Sequence, residues 1–170
     1  ADRGIPSWSG RPVDAPVGTF FGNPDASQTW VRMNAVTAQL ELNLADGWRL
    51  TSRLRHADYD KFFQNVFAGP VRQTEGPLEV ALLAHDSRMR RSNTSSQTDL
   101  VIPADWGGLA HTVLAGMELT RQTGDNKRET GFFGPGASDT ALYVPLGQPT
   151  SFAPVTFRST PTDPDNVSTS

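Results

Sequence analysis

A strict alternation of apolar and polar residues is the feature that most constrains the fold of this chain. Apolar side chains take every second position of residues 36–44, namely Val36, Ala38, Leu40, Leu42 and Leu44. Polar side chains take the intervening positions, namely Thr37, Gln39, Glu41 and Asn43. Because successive side chains of a β-strand point to opposite faces, this pattern predicts a strand with one apolar and one polar face.

A tight turn follows this strand and starts a second one. Asp46 and Gly47 form a dipeptide typical of hairpin turns, because both residues tolerate positive φ. Beyond the turn, Trp48, Leu50 and Leu54 alternate with arginine and threonine. A second hairpin is predicted by a strand ending at residues 98–102, a short reversal at residues 103–108 and renewed alternation through residues 111–122.

The connections between these predicted strands have two very different lengths. We predict long loops at residues 67–91, before residue 27 and after residue 122, whereas the two turns are short. Outer-membrane β-barrels combine short turns, long extracellular loops, an apolar outer face and a polar inner face. The predicted fold class is therefore all-β, with about four to five antiparallel strands of a transmembrane outer-membrane β-barrel. Trp48 and Trp106 each lie at a short turn, so we predict that both are membrane-interface aromatics.

The composition excludes several classes of protein. The chain has 170 residues and no cysteine, which excludes disulfide frameworks and thiolate metal sites. Its formal net charge of -3 argues against a nucleic-acid partner, since phosphate binding requires a concentrated basic surface. The chain also lacks an apolar run of about 18 residues, which excludes a transmembrane helix.

Residues with catalytic or metal-binding chemistry form no recognisable motif. His56, His85 and His111 fall on separate segments and none stands at a motif spacing from a nucleophile, so we predict that the protein is not an enzyme. His56, Asp58 and Asp60 lie two apart and would share one face of a strand, which is a possible metal set. At this height a barrel strand leaves lipid and enters water, where carboxylates are expected, so we predict no metal site.

The polar face of the predicted barrel carries candidate ligand contacts. Guanidinium groups and a phenol can hydrogen-bond to an anionic, aromatic ligand and stack on it. We therefore predict ligand contacts at Arg53, Arg55, Tyr59, Arg88, Arg90 and Arg91. The alternative is that these arginines only pair with acidic residues of a polar lumen, namely Glu41, Asp99 and Glu118.

Segments spread over nearly the whole chain carry a family resemblance. They include Ala-Asp-Arg-Gly-Ile-Pro-Ser at residues 1–7, Gly-Arg-Pro-Val at residues 10–13 and Phe-Phe-Gly-Asn-Pro-Asp at residues 20–25. Further segments are residues 50–67, 96–100, 111–119 and 154–158. Together they resemble the β-barrel of TonB-dependent siderophore receptors, and most of all the catecholate branch. Asn-Thr-Ser at residues 93–95 departs from the larger apolar residues expected there.

The resemblance implies an outer-membrane receptor that binds a ferric siderophore and imports it with energy delivered through TonB. It implies the bacterial outer membrane as location, and ferric siderophore and membrane lipid as partners, with TonB a partner of the full-length parent only. No cofactor is implied, because the siderophore itself holds Fe(III). Family members also carry a TonB box, a plug domain and about 22 strands. We therefore interpret residues 1–170 as a partial receptor barrel domain without plug or TonB box.

Two other interpretations of the alternating pattern stay open. A soluble β-sandwich binding module would show the same alternation, with its tryptophans buried in one core. A passive porin-type channel would share the barrel pattern without a plug or coupling to TonB. The sequence does not identify the siderophore.

Overall fold

The computed structural model describes residues 4–170, which are organised almost entirely as β-strands. Four strands are long: β3 (Gln28–Asn43), β4 (Arg49–Gln73), β5 (Leu78–Trp106) and β6 (Leu109–Phe132). The short strands are β1 (Ser7–Trp8), β2 (Arg11–Pro12), β7 (Leu142–Pro145), β8 (Thr156–Arg158) and β9 (Asp165–Thr169). The first three residues of the segment at 1–7, on which part of the family resemblance rests, lie outside the described residues.

The strands form one large sheet and one small one. The large sheet has the order β3-β4-β5-β6-β8, with β7 paired to β5 and β9 paired to β6, and β1 pairs with β2. Consecutive long strands run antiparallel, because each tight turn reverses the chain between two neighbours in the sheet. The predicted all-β, antiparallel fold is confirmed at this level.

The two short turns were predicted from the sequence with different accuracy. The first is confirmed, with a 3-10 turn at Ala45–Gly47 in which Asp46 has φ of 63° and Gly47 has φ of 76°. The second is shorter than predicted, because β5 continues through Pro103 to Trp106. Only Gly107 and Gly108 reverse the chain, with φ of 63° and 79°. Such left-handed conformations cost glycine little, because it has no Cβ atom.

The long loop predicted after residue 122 is wrong up to Phe132, where β6 ends. The long loop predicted at residues 67–91 is also wrong. These residues continue β4 and β5 as one hairpin that turns at residues 74–77. Gly69 and Pro70 resemble strand breakers in the sequence, yet Gly69 has a packing role. A Cβ atom at position 69 would lie 2.9 Å from Leu83 Cδ1, so glycine permits the close approach of β5.

The first compact unit includes residues up to Val31, Lys61–Met89 and Asn126–Asp165, and it contains nearly all of the buried apolar side chains described. They form two clusters, one of Val13, Phe21, Val71 and Val80 and one of Val66, Leu82, Ala84 and Phe133. The buried side chain of Asn23 stabilises the segment before β3 through hydrogen bonds. Its Oδ1 accepts the backbone N–H groups of Asp25 and Ala26, and its Nδ2 donates to the carbonyl of Ala153 at 3.0 Å. Burial of these side chains explains why the hairpin continues past its apparent breakers.

The second compact unit consists of Arg32–Asp60, Arg90–Asp125 and Asn166–Ser170. Its antiparallel pairing is visible in side-chain contacts, because Ser52 contacts Thr98 at 3.0 Å and His56 contacts Thr94 at 2.8 Å. Ala57 is the only buried apolar residue in the part of this unit that the structure describes. The unit is therefore a sheet whose two faces are both accessible.

No helix in the described range 4–170 has the length and apolar character needed to cross a membrane.

Candidate functional site

One face of the second unit carries a continuous set of exposed apolar side chains, which we call the apolar band. Leu40 is 53% exposed, Met117 62% and Leu119 61%. The band consists of Val36, Leu40, Leu42, Leu44, Trp48, Leu54, Trp106, Leu109, Met117 and Leu119. Most of these residues alternate with polar ones along each strand, so the band and most of the polar residues occupy opposite faces of the sheet. Leu114 on β6 is an exception, because it is 68% exposed and lies on the opposite face from the band.

The opposite face, which we call the polar face, is held by side-chain hydrogen bonds between and along strands. Arg53 donates from Nε and Nη2 to Gln39 Oε1, at 3.2 and 3.0 Å. Gln97 Nε2 donates to Asp99 Oδ2 at 2.9 Å. Arg53 therefore binds a neutral amide rather than an acidic residue of the predicted set, and its positive charge is not neutralised by that contact.

A small cavity of about 150 Å³ opens within the polar face. Its lining residues are Arg55, Ala57, Tyr59, Asn93 and Ser95. Asn93 Oδ1 is buried and lacks a hydrogen-bond partner among the described residues. A buried acceptor without a donor costs free energy that a ligand hydroxyl could recover. The cavity thus combines a guanidinium, a phenol, a hydroxyl and an unsatisfied carbonyl oxygen, a set suited to an anionic ligand that also carries hydroxyl groups.

The predicted ligand contacts do not gather in one place. Arg55 and Tyr59 line the polar-face cavity, and Arg53 lies on the same face, bonded to Gln39. Arg90, Arg91 and Tyr59 line a larger cavity of about 390 Å³, which we call the charged cavity. Arg88 belongs to the first unit, where its Cζ lies 5.6 Å from the centre of the Trp30 ring.

Two residues that line the polar-face cavity were not predicted from the sequence. Asn93 and Ser95 belong to the Asn-Thr-Ser segment at residues 93–95. The sequence signal that could have identified them is the alternation along β5. Asn93 and Ser95 are two residues apart, so their side chains point to the same face of the strand. Small polar residues there leave the space that the cavity occupies.

The two tryptophans predicted at the membrane interface lie beside the two short turns. Trp48 directly follows the first turn and is 39% exposed, and Trp106 directly precedes the second and is 62% exposed. The Trp106 ring centre lies 5.4 Å from that of His111, across the turn. Both rings belong to the apolar band.

His56, Asp58 and Asp60, considered above as a possible metal set, follow one another along one face of β4. His56 contacts Asp58 Oδ2 at 3.2 Å through Nε2 and Thr94 Oγ1 through Nδ1. Asp58 and Asp60 both line the charged cavity. Within residues 4–170, no three histidine, aspartate or glutamate side chains are grouped closely enough to hold a metal ion.

Comparisons of this chain with protein-family models, with curated proteins and with solved structures found no match.

Proposed function

We propose that this chain forms part of the β-barrel of a bacterial outer-membrane TonB-dependent receptor that binds and imports ferric siderophores. The observation that carries the proposal is the apolar band of the second unit, opposed by a polar face on the same strands. Lipid-facing and lumen-facing residues alternate in this way along the strands of outer-membrane barrels.

The dimensions of the apolar band support a membrane-facing surface. On β6 the band extends from Leu109 to Leu119, and a strand rises about 3.3 Å per residue. This distance is about 33 Å along the strand, or about 25 Å along the membrane normal at a tilt of about 40°. The apolar zone of outer-membrane barrels is about 25 Å tall. Trp48 and Trp106 would then mark one interface.

The exposure of the band argues against the soluble β-sandwich. In a sandwich a second sheet packs on the apolar face, and the tryptophans lie in a shared core. Leu54 is 52% exposed and Trp106 62% exposed, so the described residues provide no such cover for the second unit. Soluble monomers rarely expose an apolar surface of this extent. Lipid is the partner that would cover it.

The polar-face cavity supports the ligand assignment within this proposal. Arg55 and Tyr59 offer a charge-assisted donor and a phenol, and Arg53 adds a second guanidinium on the same face. An anionic siderophore complex presents oxygen atoms that accept such hydrogen bonds. Fe(III) is the cargo, and the siderophore holds it.

Membrane insertion is tested by placing a charge on each face in turn. Lysine at the midplane of the lipid face of a barrel costs about 2–4 kcal/mol, so Leu40→Lys is expected to reduce recovery of the protein in the outer-membrane fraction. Thr37→Lys, on the polar face of the same strand, is the matched control and is expected to insert normally. Quenching of tryptophan fluorescence by brominated lipids gives a second measurement. Equal recovery of both variants, or no quenching in the unsubstituted protein, would contradict the proposal.

Siderophore binding is tested by uptake of radioactive iron presented as a ferric catecholate. Disruption of the gene that encodes this chain is expected to abolish the uptake, and complementation is expected to restore it. Arg55→Ala is expected to weaken binding, because it removes the charged donor of the polar-face cavity. Arg49→Ala is a control on the same face beside the turn. Unchanged uptake after gene disruption would refute the transport function.

A further inference from the structure

We propose that the polar-face cavity binds a hydroxycarboxylate group of the ligand, and that Asn93 makes the ligand hydroxyl a requirement for tight binding. This inference rests on the proposed function, because it names the chemical group of the siderophore that the cavity takes. The hydroxyl is one that does not bind Fe(III), since an oxygen that coordinates the ion is deprotonated and has no hydrogen to donate.

Strand register brings the residues of the polar-face cavity together in pairs. The side-chain contacts between β4 and β5 in the second unit set the alignment of these two strands. In this alignment Arg55 lies opposite Ser95. Ala57 likewise lies opposite Asn93. The side chain of Ala57 is a single methyl group, which leaves the space in front of Asn93 open to a ligand.

The side-chain carbonyl of Asn93 indicates that the ligand brings a hydrogen-bond donor. Asn93 Oδ1 is buried and has no hydrogen-bond partner among the described residues. An unpaired buried acceptor costs free energy. A ligand donor removes this cost, whereas a ligand without a donor leaves it in place. The cavity therefore discriminates between ligands by whether they carry a donor at this position.

The positive charge of Arg55 is not neutralised by the polar face around it. Its cross-strand neighbours are Thr37 and Ser95, and both are uncharged. The nearest carboxylates on this face of the neighbouring strands are Glu41 and Asp99. Each lies four residues further toward the turns, or about 13 Å along the strand. Charges more than about 8 Å apart are largely screened at physiological ionic strength, so Arg55 is available to a ligand carboxylate.

A hydroxyl group suits Asn93 better than other donors do. An ammonium group in this small cavity would lie close to the guanidinium of Arg55, and like charges repel. An amide N–H donates but does not accept. A hydroxyl donates to Asn93 Oδ1 and at the same time accepts from the hydroxyl of Ser95 or Tyr59, which both line the cavity.

The size of the cavity limits the ligand group that it holds. Its volume is about 150 Å³, and a water molecule occupies about 30 Å³ in the liquid, so the space corresponds to about five water molecules. A carboxylate with a hydroxyl on the adjacent carbon atom is a group of this size. The cavity therefore takes one arm of a siderophore rather than the whole iron complex.

The experiment compares three four-carbon dicarboxylates that differ at one position. Malate carries a hydroxyl there, succinate a hydrogen and aspartate an ammonium group. Ligand-observed NMR titrations measure the Kd of each acid for the full chain in detergent micelles. We expect malate to bind about tenfold more tightly than succinate, and aspartate to bind more weakly than malate. This comparison uses the unsubstituted protein and does not depend on any variant.

Two substitutions separate the roles of Asn93 and Arg55. Asn93→Ala should bring malate to the affinity of succinate, because the unpaired acceptor is removed, and unchanged succinate binding shows that the variant folds. Arg55→Gln should weaken both acids by a similar factor and keep the preference for malate, because it removes only the partner of the carboxylate. Asn43→Ala, on the polar face of β3 beside the first turn, is the matched control and should bind all three acids as the parent does.

Four results would overturn the inference. They are equal affinity for malate and succinate, tighter binding of aspartate than of malate, an unchanged preference for malate in Asn93→Ala, and unchanged binding of both acids in Arg55→Gln. Quenching of tryptophan fluorescence by brominated lipids is measured on the same protein. Normal quenching without a preference for malate refutes this inference alone, whereas absent quenching refutes the proposed function on which it rests.

Discussion

Replacing Asp86 by asparagine should stabilise the first unit at alkaline pH. Burial, and then the nearby carboxylate of Glu129, raise the pKa of Asp86 from 3.8 to about 6. A hydrogen bond from the Glu129 backbone and the positive charge of Lys127 act in the opposite direction but are smaller, and Asp163 adds a minor repulsion. The fold therefore favours the protonated form of Asp86.

The sign of the pH dependence follows from this raised pKa. The contribution of Asp86 to stability is fully present below its unfolded pKa of 3.8 and is lost as the pH rises through about 6. A shift of about two pKa units corresponds to about 3 kcal/mol. Because Asp86 is only partly buried, solvent screening reduces this value, and we expect about 1–2 kcal/mol. Asparagine keeps the shape of the protonated acid and removes the charge.

Two measurements check this prediction. Denaturant unfolding, followed by tryptophan fluorescence, should show Asp86→Asn more stable than the parent at about pH 8 and equally stable at about pH 4. Titration of the 13C-labelled carboxyl group by NMR should give a midpoint at about 6 for Asp86. A midpoint close to 3.8, or a variant that is destabilised at about pH 8, would refute the reasoning.

Three further changes have expected outcomes. Burial opposes ionisation of Asp163, but hydrogen bonds from Thr130 and Thr160 outweigh it and lower the pKa of Asp163. Asp163→Asn should therefore destabilise the protein at neutral pH, with the difference vanishing as the pH falls below 3.8, and a pH-independent loss in unfolding experiments would contradict this. Leu82→Ala removes a side chain that is 0% exposed and should cost about 2–5 kcal/mol of unfolding free energy, whereas Leu114→Ala, at 68% exposure, should cost little. Gly108→Ala places a side chain on a residue with φ of 79° and should cost about 1 kcal/mol in thermal unfolding. Gly76→Ala is the control, because Gly76 is a turn glycine without positive φ. An equally large loss in Gly76→Ala would contradict this explanation.

Local pattern was sufficient to predict the strands and first turn of the second unit. The alternation at residues 36–44 lies within β3, and Asp46 adopts the left-handed conformation expected of a hairpin dipeptide. Both signals are local, because side-chain parity and turn preference depend on neighbouring residues in the chain. The polar-face residues Arg53, Arg55 and Tyr59 could be recognised for the same reason.

Long-range packing decided what local pattern could not. Gly69 and Pro70 indicated a loop, yet β4 and β5 remain paired there because Val66 and Leu82 are buried with Phe133, which is distant in sequence. The candidate site also depended on cross-strand register. Asn93 and Ser95 join Arg55 and Tyr59 only because β5 lies beside β4 in one particular alignment.

The sequence by itself determined the all-β class, the alternation of faces and the chemistry that each face of the second unit offers, because these follow from period-two side-chain geometry and turn preference. Only the tertiary structure decided the length of the β4–β5 hairpin and the separation of the predicted arginines into different sites. Each of these depends on which residues of different strands face each other, and that is set by packing and backbone hydrogen bonds across the sheet.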